Sequence, residues 1–167
     1  MLKNNHLDTS YQPGKISEIA LIDLRWVVSF DLFVHSAQDG CQNILLLASQ
    51  TTDPSTTGGR LPEVGICDGK LFVAYEDAEQ FSDGTTFPLG KWVSIEIAVA
   101  NGKFSLKFDG ARKYTTKLPS LQTHENVQVY VGFGSNYADA DVKNIKISSR
   151  AGLFKEDEFT SFWPKMF

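Results

Sequence analysis

The chain has 167 residues, with 16 Lys plus Arg against 20 Asp plus Glu, a formal charge of -4 and no basic run or stripe, which argues against a nucleic-acid partner. A single domain of this length buries roughly 70% of its unfolded surface and folds without a metal or disulfide staple. No apolar stretch approaches the ~18 residues of a membrane helix, and Met1 to His6 lacks the apolar run of a secretory signal, so the expectation is a cytosolic protein or one whose export signal was removed.

Strand patterns dominate from the start. Residues 1–15 read as an extension, and Lys15 to Ile22 and Trp26 to Val34 read as the first strands, the second a central one with Trp26, Val28, Phe30, Leu32 and Val34 on one side. Asn43 to Ala48 and Leu61 to Cys67 flank a Pro-, Gly- and hydroxyl-rich excursion over residues 50–59. Cys41 and Cys67 come near the same end if these two strands pair antiparallel. Two readings stay open there: a disulfide, or ordinary thiols in a reducing compartment, which the absence of any Asn-x-Ser/Thr acceptor favours.

Three dipeptides set hairpin registers. Asp68-Gly69 places Ile66 opposite Leu71 and Val64 opposite Val73. Asn101-Gly102 pairs Val99 with Phe104, Ile97 with Leu106 and Ile95 with Phe108 on a dry face, and Ala98 with Ser105 and Glu96 with Lys107 on a polar one. Asp109-Gly110 is less regular. A strict two-residue loop would set Lys113 opposite Leu106, so a bulge or a wider turn is expected. Val127 to Phe133 and Ile145 to Ile147 alternate as late strands. At least eight strands without βαβ spacing predict an all-β fold, an antiparallel two-sheet β-sandwich or jelly roll.

The order of these phrases resembles the concanavalin A-like lectin/glucanase superfamily, nearest its laminin G-like members. The likeness runs over residues 16–149 and is carried by the strand from Trp92, by Phe104 to Gly110, by Val131-Gly132 and by Val142 to Ile147. It implies a curved sandwich that binds glycans or protein partners, in some members through a calcium ion at the loop edge. The pentraxin His-x-Cys-x-Ser/Thr-Trp signature, the galectin residue set and the late cysteine of many laminin G domains are absent.

Catalytic patterns are also missing. Retaining glucanases of the superfamily carry Glu-x-Asp-x-x-Glu along one strand, because alternation then places three carboxylates in one cleft; Glu76-Asp77-Ala78-Glu79 and Glu156-Asp157-Glu158 do not match it. His6, His35 and His124 have no second metal ligand at hairpin or helical spacing, and no Gly-x-Ser-x-Gly or phosphate-cradling loop occurs. The expectation is a non-enzymatic protein.

Two ligand sites are expected. Glu96, Ser105 and Lys107 on the polar hairpin face, joined by Gln128 and Tyr130 if that strand lies in the same sheet, offer hydrogen-bonding groups and an aromatic ring for a sugar. The loop from Gly134 to Asp141 offers Asn136, Asp139 and Asp141 as hard oxygen ligands for calcium, with Tyr137 beside them facing a ligand or tucked under the loop. The acidic stretch Tyr75 to Gly84 could join the same rim. In residues 150–167, Phe159, Phe162, Trp163 and Met166 fall at helical spacing, interrupted by Pro164, and either dock on the sandwich or bury in a second copy, making a homo-oligomer through residues 154–167. The function expected is a non-catalytic carbohydrate-binding or adhesion module that recognises a glycan or glycoprotein. Its rivals are a structural subunit of a larger assembly and a divergent glycan-cleaving enzyme.

Overall fold

The computed structural model describes residues 5–7, 14–22, 24–49, 60–75, 82, 84–118, 123–132 and 136–149. The loop over residues 50–59, most of the acidic stretch after Tyr75 and the aromatic tail lie outside the described residues. Eleven strands are described: β1 (Asn5–Leu7), β2 (Gly14–Ile22), β3 (Trp26–Val34), β4 (Cys41–Ala48), β5 (Arg60–Cys67), β6 (Lys70–Ala74), β7 (Trp92–Ala100), β8 (Lys103–Phe108), β9 (Ala111–Lys117), β10 (His124–Val131) and β11 (Ala140–Ser149). They form an antiparallel two-sheet sandwich, one sheet ordered β1-β11-β3-β7-β8-β9 and the other β2-β10-β4-β5-β6. Among the described residues no helix is long and apolar enough to cross a membrane.

The three dipeptides make the turns that their chemistry favours. Asp68, Asn101 and Asp109 take φ of 48°, 51° and 49°, each followed by a glycine also at positive φ, as two-residue hairpin loops with right-handed strand twist require. Val99 then faces Phe104, Ile97 faces Leu106 and Ile95 faces Phe108; Ile66 faces Leu71 and Val64 faces Val73. At Asp109-Gly110 the turn is a tight one, with Phe108 opposite Ala111, and the irregularity follows it. Lys107 pairs with Arg112 but Leu106 with Tyr114, so Lys113 is the extra, bulged residue.

The core fills the gap between the sheets. Trp26, Phe30 and Leu32 of β3, Ile95 and Ile97 of β7 and Phe104 and Leu106 of β8 pack towards Leu45 and Leu47 of β4, Val64 of β5, Val73 of β6 and Val127 and Val129 of β10. Tyr75, expected on an acidic rim, is instead buried, its ring 5.6 Å from that of Trp26. Cys41 lies directly opposite Cys67 at the end of the β4–β5 ladder, and the two form a disulfide. The thiol reading is therefore replaced by the disulfide, because antiparallel register sets the two residues face to face.

Gly65 in β5 sits opposite Phe72 in β6. A Cβ at Gly65 would fall within 3.0 Å of both the Gln42 carbonyl oxygen and the Phe72 ring, so the ring lies where a side chain would stand. Gly65→Ala should lower stability by about 2 kcal/mol, the usual scale of overpacking, read as a lower urea midpoint with unchanged slope. An unchanged midpoint would show that β4 and Phe72 move aside at no cost.

Candidate functional site

Strand alternation sends Val93 and Ile95 inward, so Trp92 and Ser94 point outward from the six-stranded sheet. Pairing across three strands then builds two rows on this outer face. Asp141 of β11, Phe33 of β3 and Trp92 of β7 form one; Lys143, Asp31 and Ser94 form the next. Beyond the first row, the His35 backbone N–H donates to the Asp139 carbonyl at 2.9 Å.

Trp92 is 40% exposed. Its ring centroid is 5.5 Å from that of Phe33, which is 4.7 Å from that of His35. Phe33 thus touches an aromatic ring on either side, tilted 60° to Trp92 and 54° to His35, and the Lys143 ammonium lies 3.8 Å from the Trp92 ring centroid. Such a cation–π contact with a flexible stem is worth on the order of 1 kcal/mol at an exposed site, and leaves the lysine able to swing aside.

Polar groups ring the aromatics and are held in place. His35 Nε2 lies 3.0 Å from Asp141 Oδ2, the Ser36 hydroxyl donates to Asp139 Oδ2 at 2.8 Å, and Asn144 Nδ2 donates to Asp31 Oδ2 at 2.7 Å. The last contact depends on a second bulge. Lys143 pairs with Asp31 and Lys146 with Ser29, which leaves Asn144 and Ile145 opposite Phe30 alone, and Asn144 takes φ 55°, a conformation that asparagine tolerates better than most residues. Extended bulges of this kind re-aim side chains at sheet surfaces. The result is an aromatic surface bordered by hydrogen-bonded carboxylate, amide and imidazole groups and by the Lys143 ammonium.

The two sites expected from sequence are rearranged. β10 lies in the five-stranded sheet, so Gln128 and Tyr130 do not share a surface with Glu96, Ser105 and Lys107; the Tyr130 hydroxyl donates to Gln128 Oε1 at 2.7 Å on the other side of the sandwich. The hairpin's second face is not open either. Ser105 is 1% and Lys107 7% exposed, neighbouring Ala98 is fully buried, and Lys107 Nζ lies 3.6 Å from Glu96 Oε1. Alternation reports which side of a strand a residue occupies and not whether that side meets water.

The expected calcium ligands also do not converge. Asn136 is tied to β4, donating from Nδ2 to the Cys41 carbonyl and accepting at its own carbonyl from the Asn43 backbone and side-chain amides. Asp139 and Asp141 instead turn to Ser36 and His35. Among the described residues no group of three or more His, Cys, Asp or Glu is arranged to hold a metal ion. Tyr137 bridges to Asn43 and packs against the core, so it tucks under the loop.

No protein-family model matches the chain, and no curated protein matches it in sequence. Solved structures do match it in shape. A native heptameric SAP-like pentraxin from Limulus polyphemus superposes with TM-score 0.62 at 8% identity, over 86% of this chain and 73% of its own. The ligand binding domain of Botulinum neurotoxin serotype D, solved with N-acetylneuraminic acid, gives TM-score 0.62 at 14% identity over 88% of this chain and 38% of its own. Trypanosoma rangeli sialidase in complex with sialic acid gives 0.59 at 14% identity over 81% and 22%. The chain thus spans about a fifth of the length of the sialidase chains it matches. At these identities the likeness shows a shared jelly-roll sandwich.

Trp92 and Phe33 were not among the residues expected from sequence, although a signal for them exists. Trp92 stands on the outward parity of a strand whose inward positions are Val93, Ile95, Ile97 and Val99, and Phe33 lies between the inward Leu32 and Val34. Large aromatics on a strand's polar parity are that signal.

Proposed function

We propose that the protein is a non-catalytic carbohydrate-binding module of laminin G-like type that engages a glycan or glycosylated partner on the Trp92 platform. The observation that carries this reading is the exposed Trp92 ring, grouped with Phe33 and His35 and bordered by Asp31, Asn144, Asp141 and Lys143. A sugar ring presents C–H groups on its faces and hydroxyls at its rim, so an aromatic surface edged with planar hydrogen-bonding groups complements it. The fold neighbours lend support, since the neurotoxin domain and the sialidase were solved with sialic acids bound.

The test is a broad glycan array probed with the full chain, once with calcium and once with chelator. Binding to a defined set of glycans is expected, equal in the two conditions, because the platform uses side chains alone. No binding to any glycan would overturn the reading, and binding lost with chelator would return a metal to Asp139 and Asp141.

A further inference from the structure

A groove lies at the start of β7. One wall is the segment leading into that strand, which contributes Thr85, Thr86 and Lys91; the opposite wall is the β8–β9 turn, which contributes Asp109 and Lys113. Phe108, Val93 and Pro88 supply apolar surface between them. The groove is half open and its volume is about 200 Å³, below the roughly 300–1,000 Å³ of sites for drug-sized ligands and on the scale of one sugar ring.

The walls are pinned from outside the groove. Phe87 is buried edge-on against Phe108 with centroids 5.5 Å apart, and its backbone N–H donates to the Gly69 carbonyl at 2.7 Å. Asp109 exchanges two bonds with Ser94, its N–H donating to the Ser94 carbonyl at 2.8 Å and its Oδ1 accepting from the Ser94 N–H at 2.9 Å. One carboxylate oxygen is therefore committed to Ser94 on β7. Lys113 reaches the groove because it is the bulged residue of β9, and its ammonium stands 5.9 Å from the Phe108 ring centroid. In a regular ladder it would face Leu106, a core position. Two lysines and one partly committed aspartate thus line a groove with apolar surface, in a chain whose overall charge is -4.

We propose that this groove binds the anionic residue of an acidic glycan, a carboxylate- or sulfate-bearing monosaccharide unit. Its acidic group lies between Lys91 and Lys113, its hydroxyls reach Thr85, Thr86 and Asp109, and its apolar face rests on Phe108. The inference builds on the glycan-binding reading and specifies the class of sugar. Charge-assisted bonds to a carboxylate are about twice as strong as neutral ones, so the two lysines select acidic sugars over neutral ones.

The experiment is ligand-observed NMR titration of the full chain with methyl glucuronide, methyl N-acetylneuraminide, methyl glucoside and sodium sulfate, at one ionic strength. Wild type, Lys91→Gln and Lys113→Gln are compared. An acidic glycoside is expected to bind wild type, and at least tenfold more weakly to each lysine variant, whose exposed side chains leave thermal unfolding unchanged. Neutral glucoside and sulfate are expected to show no lysine dependence. Acidic glycosides binding the lysine variants as well as wild type, or sulfate alone matching them, would overturn the groove. So would array binding that persists with no response to any acidic monosaccharide, which leaves the platform reading standing. An array that binds nothing while glucuronide binding falls in Lys113→Gln would retain the groove and remove the platform.

Discussion

Replacing Trp92 by alanine will weaken glycan binding on the platform while leaving the fold intact. The ring sits outside the core at 40% exposure, its packing partners being Phe33 and the Lys143 ammonium, so truncation opens no interior cavity and should shift the unfolding midpoint little. On the binding side the loss is large, because central aromatic contacts carry about 2 kcal/mol or more of an interface, ~30-fold in affinity. Trp92→Phe keeps an aromatic face and should retain part of that affinity. Equal binding by wild type and Trp92→Ala on the array would dismiss the platform. A cooperative midpoint that collapses in Trp92→Ala would mean that the ring is structural.

Removing the disulfide is expected to be the largest single blow to stability. Cys41 and Cys67 are 26 residues apart in sequence, and opening a loop of that length restores chain entropy to the unfolded state at a cost of about 3 kcal/mol. For a chain of this size that corresponds to roughly 6–12 °C in Tm. The bridge does not act alone. Gly40 and Asp68 exchange bonds beside it, the Gly40 N–H donating to Asp68 Oδ1 and the Asp68 N–H to the Gly40 carbonyl, both at 2.9 Å, while Asn136 holds the Cys41 carbonyl from the far side. Cys41→Ser with Cys67→Ser should therefore fold, melt earlier, and bind glycan normally, since the platform stands on the other sheet. Identical Tm values for oxidised and reduced wild type would contradict this.

Local structure was more legible in the chain than the way its parts face one another. The Asn101-Gly102 and Asp68-Gly69 hairpins were readable pair by pair because a two-residue turn leaves no freedom of register, and the misfit of Lys113 against Leu106 announced the bulge that the structure contains. What a turn does not specify is the partner of a strand that is distant in sequence. β10 pairs with β2 and β4, a choice that rests on long-range packing, so the condition on which Gln128 and Tyr130 would join Glu96, Ser105 and Lys107 is not met. Burial of Ser105 and Lys107 is likewise a property of the whole surface. Asp139 and Asp141 were expected as calcium ligands because both are carboxylates close together in the chain, whereas their partners Ser36 and His35 lie more than 100 residues away. The aromatic row needed two strands in register before Phe33 and Trp92 became neighbours.

The edge of the six-stranded sheet carries one further consequence. Among the described residues β9 is the outermost strand of that sheet, the position at which another chain can add to a sheet. Its sequence, Ala-Arg-Lys-Tyr-Thr-Thr-Lys, exposes Arg112, Lys113 and Lys117. Two copies approaching through this strand would set like cations against one another, which disfavours edge-to-edge pairing of β9 with itself. Lys113 then serves twice, lining the groove and opposing that pairing.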